Sequence, residues 1–252
     1  MRAYLVAALA FWAALPVSAQ INTERLRKDI EPGQYYQFDF GGGFAAGNTD
    51  YVQFGVGGRM DIVGEGASAF AVAHYVFNEV DNVTDVSSGF VHARYNHPLV
   101  PRVVGEAFAQ VERNEQTLLE RRYLVGAGAR FEVLETEPLG IALGTTPMFE
   151  YERLQASTME DPAGAFRWSN YLSVRVDVSD TAEALGVVYV QPRVSEPDDV
   201  RVLHESRLDV SVSSRFKIRV RAGTRFDSEP PVDVDRTDVM LTTGFVFSSI
   251  GD

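Results

Sequence analysis

Four histidines, His74, His92, His97 and His204, are the only ones in a chain of 252 residues, and cysteine is absent. They form neither the two-histidine helical spacing that holds zinc nor a partnership with a nucleophile-elbow serine. Without cysteine there is no thiolate ligand, thiol nucleophile or disulfide. His74 and His92 stand on segments joined by one loop and could approach each other, but satisfied wall residues are the stronger reading. Glu150 and Glu152 lie two positions apart, hence on one strand face, where an acid could stand beside a base. The same parity is charged along much of the chain, so ion pairing outranks catalysis there. Gly64-Glu65-Gly66-Ala67-Ser68-Ala69 loosely matches a dinucleotide fingerprint, which requires a parallel strand leading into a helix. A hairpin turn suits it better, and Gly41, Gly42 and Gly43 suit strand packing or curvature. No catalytic residue, cofactor or metal site is expected. A Ser and His hydrolase inside or beside a barrel is the distant alternative.

The elements that position these residues follow period two from Tyr35 to Phe247. In the clearest window Phe216, Ile218, Val220, Ala222, Thr224 and Phe226 share one face, while Lys217, Arg219, Arg221 and Arg225 share the other. Val52, Phe54, Val56, Met60 and Ile62 oppose Gln53, Arg59 and Asp61 in the same way. The chain is therefore predicted to be all-β. Twelve strands are expected, starting near Tyr36, Tyr51, Ser68, Gly89, Val103, Arg122, Leu139, Arg167, Ala184, Arg201, Phe216 and Asp238. Tight connections at 64–67, 135–138 and 213–215 alternate with longer ones at 78–87, 154–165 and 227–237. That alternation is the pattern of a single antiparallel transmembrane β-barrel of about 12 strands (10–14). The segments Ser68 to Asn78 and Ala184 to Arg193 alternate poorly, and their facing is left open.

Aromatic rings favour membrane interfaces. Tyr36, Tyr95, Phe131, Phe216 and Phe245 fall at the short-turn ends, and Phe77, Tyr123, Phe149, Tyr151, Trp168 and Phe226 at the long-loop ends. An antiparallel sandwich shares the alternation but has no reason for rings at both strand ends. The charged parity places Arg59, Arg94, Glu106, Arg130, Glu132, Glu150, Glu152, Arg175, Asp177, Arg219 and Arg221 toward the lumen, where opposite charges would pair and partly fill it. Acidic residues of the long loops, among them Glu79, Asp81, Asp85, Glu160, Asp161, Glu196, Asp198, Asp199, Asp227, Glu229, Asp233 and Asp235, are expected as a solvated outer rim able to attract cations.

Asp and Glu number 35 against 23 Lys and Arg, a net charge of −12, the wrong sign for a nucleic-acid partner. Met1 and Arg2, the apolar run Tyr4 to Leu15 and Val17-Ser18-Ala19 read as a cleaved signal peptide over 1–19. Residues 20–34 read as a solvated periplasmic lead-in and 35–252 as the barrel. No later run approaches the ~18 apolar residues of a spanning helix, so export through the inner membrane is expected.

Several patches, in order, carry a family likeness. They are Gly47-Asn48-Thr49, Arg94-Tyr95-Asn96, Glu106-Ala107-Phe108-Ala109-Gln110 with Asn114, and Gly126-Ala127-Gly128-Ala129-Arg130. Phe149-Glu150-Tyr151-Glu152-Arg153, Ser169-Asn170-Tyr171-Leu172-Ser173, Tyr189-Val190-Gln191-Pro192-Arg193 with Asp199 and Arg201, and Asp227-Ser228-Glu229-Pro230-Pro231 before Asp238 continue it. From about Tyr35 to Ser248 the chain resembles the YdiY-like family of salt-induced outer-membrane proteins, whose molecular function is unknown. The resemblance implies an outer-membrane barrel of a Gram-negative bacterium and supplies no catalytic residues. One departure is that five residues follow Phe247, where such barrels often finish on an aromatic residue. The expected partners are outer-membrane lipid and lipopolysaccharide, the barrel assembly machinery, and small ions or solutes. The expected function is a narrow channel or a largely closed lumen, with a structural envelope role as the alternative.

Overall fold

The computed structural model describes residues 31–45, 51–80 and 83–248. They run as twelve strands, β1 Gly33–Ala45, β2 Tyr51–Val63, β3 Ser68–Val80, β4 Val83–Val100, β5 Val103–Asn114 and β6 Leu119–Glu135, then β7 Leu139–Leu154, β8 Ala163–Ser179, β9 Ala182–Pro192, β10 Val200–Ser213, β11 Phe216–Asp227 and β12 Thr237–Ser248. Each pairs antiparallel with its neighbours, and β1 meets β12 to close the barrel. A 3-10 turn at Ala156–Thr158 is the one helical element among the described residues. All twelve strands answer to expected ones, and β2, β3, β5, β7 and β11 begin at the residues named above.

Alternation decides what each face touches. In β11, Ile218 and Val220 are 39% and 38% exposed on the outside, while Arg219 between them is 3% exposed. Phe38, Phe40, Phe54, Val56, Tyr95, Val125, Leu143 and Leu172 likewise face out, whereas Arg59, Arg94, Glu106, Arg130 and Glu150 are buried. A water-soluble sandwich has the opposite arrangement, so the inverted pattern selects the transmembrane barrel.

Short turns at 64–67, 101–102, 136–138, 180–181 and 214–215 lie at one rim. At the other, 155–162, 193–199 and 228–236 are longer, and 115–118 is compact. One expected loop is corrected. Residues 78–87 are not a long loop, because β3 continues to Val80 and β4 begins at Val83. The β-branched residues Val80, Val83, Thr84 and Val86 favour extended backbone over the pull of their acidic neighbours. Glu79 and Asp85 therefore sit within strands, and Asp81 lies outside the described residues.

The two segments of uncertain facing have a physical explanation. β3 turns Phe70 and Val76 inward, and β9 turns Leu185, Val187 and Tyr189 inward. With Tyr171 and Leu203, the β9 residues form an apolar cluster inside the barrel, and Phe108, Leu124 and Met148 form another. Both faces of such strands are partly apolar, so alternation is blurred.

Among the described residues β1 meets β12 over three residue pairs, Gln37–Asp39 opposite Val246–Ser248. Its ladder with β2 runs through thirteen, from Gly33 to Ala45. The expected signal peptide and residues 20–30 of the lead-in lie outside the described residues, while Gly33 and Gln34 already belong to β1.

Candidate functional site: the charged lumen

Twelve strands about 4.8 Å apart and tilted about 40° enclose a ring of backbone roughly 24 Å across, which only long side chains can fill. Arginine and glutamate supply that length, and they meet in groups at four places.

Toward the long-loop rim, Arg122 of β6 reaches Glu112 of β5 at 2.7 Å and Glu152 of β7 at 2.5 Å. Arg201 of β10 crosses the lumen to Glu150 at 2.7 Å and Glu152 at 3.3 Å, and its Nε meets Asp227 at 2.8 Å. Arg167 of β8 donates to Glu150 at 3.2 Å and to both carboxylate oxygens of Asp199 at 3.0 Å, and reaches the carbonyl oxygens of Gln191 and Asp199. Glu150 and Glu152 are thus one assembly held by three guanidiniums. A cavity of about 40 Å³ lies beside it, bounded also by Pro230, Pro231 and Val234 of the 228–236 loop.

At mid-height, Glu106 of β5 accepts a hydrogen bond from the Tyr171 hydroxyl of β8 at 2.8 Å and one from Arg94 at 3.3 Å. Arg130 donates to the same hydroxyl at 3.5 Å. Tyr171 can reach because its ring lies against Gly144 of β7, its register partner, where any side chain would collide with it. His92 stacks between Phe70 and Phe108, and its Nδ1 lies 2.9 Å from Gln110 Oε1. Gln110 in turn donates to Glu112 at 2.7 Å, which joins this group to Arg122.

On the opposite wall, Arg59 forks onto Asp61 and lies over Phe70. Arg219 meets both oxygens of Asp209 at 2.5 Å and lies 3.8 Å from Asp39, which Arg221 approaches at 3.7 Å. Arg207 pairs with Glu183 at 3.0 Å. Toward the short-turn rim Arg175 meets Glu135 at 2.5 Å and Asp177 at 3.8 Å, and Arg130 is 3.9 Å from Glu132.

Period two located the inward residues without naming their partners. Arg122, Arg167, Arg201, Asp209 and Tyr171 complete the groups and were outside the expected set. Arg122 and Tyr171 stood on the charged parity and could have been included, whereas Arg167 and Arg201 begin their expected strands, where facing is hardest to read. Asp199 corrects the solvated-rim expectation, since it is 4% exposed and clamped by Arg167. Asp227 also turns inward, to Arg201.

The rings of both expected belts occupy outward positions. Phe216 stacks on Phe245 at 5.4 Å, Phe77 on Phe54 at 5.3 Å, and Tyr123 packs near Tyr151 at 6.4 Å. Tyr36, Tyr95, Phe131, Phe149 and Trp168 are exposed, and Phe226 is half-buried. His204 Nε2 lies 2.7 Å from Ser206 Oγ on the outer face of β10, but among the described residues no carboxylate or carboxamide holds its other nitrogen, the orienting contact that a serine nucleophile's base requires.

In this geometry the lumen fixes charges of both signs and bridges strands three apart. No curated protein matches the chain. Among solved structures it is similar to the NanC porin, with TM-score 0.51 and 8% identity, covering 86% of this chain and 99% of that one. It also aligns with the KdgM porin in complex with disordered oligogalacturonate (TM-score 0.45, 13% identity, 85% of this chain and 98% of that one). For a bacterial polysaccharide outer membrane secretin the values are 0.47, 9%, 89% and 100%. At such identities the likeness is one of fold alone. Residues 38–248 match the family described as a protein of unknown function, DUF481. Because that match runs from within β1 to the last residue of β12, the chain belongs to this family.

Proposed function

We propose that the protein is an outer-membrane barrel of the salt-induced type, exported by its signal peptide, with long loops outside and a lumen kept narrow or closed by Arg and Glu ion pairs, so that at rest it passes small ions or solutes poorly. The observation that carries this reading is the pair of bridges across the lumen, Glu106 to Tyr171 and Glu150 to Arg201, each joining strands three apart. The Glu150 to Arg201 bridge joins largely buried opposite charges, which attract more strongly than surface pairs and are screened less by salt, so it holds where exposed pairs loosen. The lumen's work in this reading is permeation control, with no catalytic step.

Conductance in a planar bilayer tests it. In Glu150→Gln/Glu152→Gln, Arg122, Arg201 and Arg167 keep only Glu112, Asp227 and Asp199 respectively as carboxylate partners. The wild type should conduct poorly, while the double variant conducts more and favours anions. Passage of sugars by the wild type, unchanged in the variant, would refute the ion-pair constriction. The apolar clusters within the lumen favour a second reading, a structural envelope protein. It becomes the better account if neither form conducts.

A further inference from the structure

Nearly all the arginines of the described strands point inward or sit half-buried, and three are exposed. Arg113 of β5, Arg121 of β6 and Arg153 of β7 stand on adjacent strands near the long-loop rim. Arg121 and Arg153 are direct register partners. Arg113 and Arg121 each adjoin a member of the Glu112 and Arg122 register pair, on the outer side. Arg113 is 2.5 Å from Glu115 and Arg153 is 3.1 Å from Glu120, both pairs solvent-exposed, while Arg121 has no carboxylate within ion-pair distance among the described residues. With three arginines against Glu115 and Glu120, the group keeps one net positive charge on the membrane-facing wall of a chain whose net charge is −12.

Two further features point to a lipid. Two residue pairs deeper than Arg121 and Arg153, hence next on the same outer face, lie Tyr123 and Tyr151, rings of the kind that mark the membrane interface. The guanidiniums therefore stand at headgroup level. Arg113 and Arg121, with Glu112 and Glu120 beside them, also line the head of a largely apolar depression of about 610 Å³ that runs down the wall past Tyr123, Val111, Val91 and Tyr75. Ala73 and Gly89 make its floor low, and Tyr75 lies against Gly89. A guanidinium fork matches phosphate geometry, and a shallow apolar groove below it matches an acyl chain.

We propose that Arg113, Arg121 and Arg153, with the groove beneath, bind an outer-leaflet glycolipid whose sugar headgroup carries phosphate and whose acyl chain lies along the wall. The site rests on the outer-membrane reading above, because that reading puts the long-loop rim in the outer leaflet.

The test uses the full barrel folded into lipid discs with equal amounts of bisphosphorylated lipid A, its dephosphorylated counterpart or phosphatidylglycerol, followed by native mass spectrometry of retained lipid. Bisphosphorylated lipid A should be retained about tenfold over the other two, as several charge-assisted contacts allow. Arg113→Gln/Arg121→Gln/Arg153→Gln should lose that advantage, and the matching lysine variant should keep part of it. All forms should keep a heat-sensitive gel shift and wild-type conductance, since these side chains face away from the lumen. Equal retention by wild type and the glutamine variant overturns the site. Equal retention of the dephosphorylated form leaves only groove packing and overturns phosphate recognition, and a preference for phosphatidylglycerol overturns the glycolipid. A protein that fails to enter discs or lacks the gel shift refutes the barrel reading itself, an outcome distinct from loss of lipid in a well-folded barrel.

Discussion

Tyr171 shows how one atom can tie distant parts of the wall. Its hydroxyl donates to Glu106 and accepts from Arg130, so it lies between charges of opposite sign. Tyr171→Phe keeps the ring over Gly144 and deletes only that oxygen. Glu106 then retains Arg94, and the expected cost is about 1–3 kcal/mol, the range for a buried group that loses a partner. Urea unfolding of the folded barrel reads it as a lower midpoint with an unchanged slope. An unchanged midpoint would mean that solvent replaces the hydroxyl and that the lumen is wetter than its burial indicates. Residues of this kind were half legible in the sequence. Parity alone set Glu106, Glu150 and Arg219 toward the lumen, because an alternating strand has only two faces. The pairing of Arg201 with Glu150, 51 positions apart, depends on barrel circumference and side-chain length, which no local pattern encodes.

Strands carry the clearest sequence signal where one face is charged and the other apolar. β11 is such a strand, and its register against β10 pairs Val220 with Leu208 and Arg219 with Asp209. Val220→Arg should therefore cost roughly 2–4 kcal/mol near mid-membrane, with Val220→Ser milder, measured by refolding yield and urea midpoint in vesicles. A harmless arginine at 220 would reverse the inside and outside of the strand. The start of β4 was misjudged because acidic residues mask its β-branched ones, and β3 and β9 were ambiguous because the barrel buries apolar residues on its inner face as well. In a wider, water-filled barrel that inner face would be polar and the alternation cleaner, so the ambiguity traces to the apolar residues that β3 and β9 turn inward.

For the whole molecule, the apolar outer face and the closed ring of paired strands match a bilayer setting, where each strand's backbone groups are met by its neighbours. The protein should fractionate with outer membranes, resist urea extraction and migrate differently on gels when unheated, and release as a soluble periplasmic protein would contradict this. Closure is nevertheless uneven. With three residue pairs joining β1 to β12 among the described residues, the seam is the shortest described ladder in the ring and need not share the cooperativity of the rest. Its opening is then a local equilibrium with its own clock, and amide hydrogens along β12 should exchange with deuterium sooner than those of β6 or β7. A cysteine pair replacing the register partners Phe38 and Phe247 would act as a clasp, slowing that exchange once oxidised and releasing it on reduction. The barrel thus resembles a hoop with a short weld, whose lifetime as a closed ring is set at one joint.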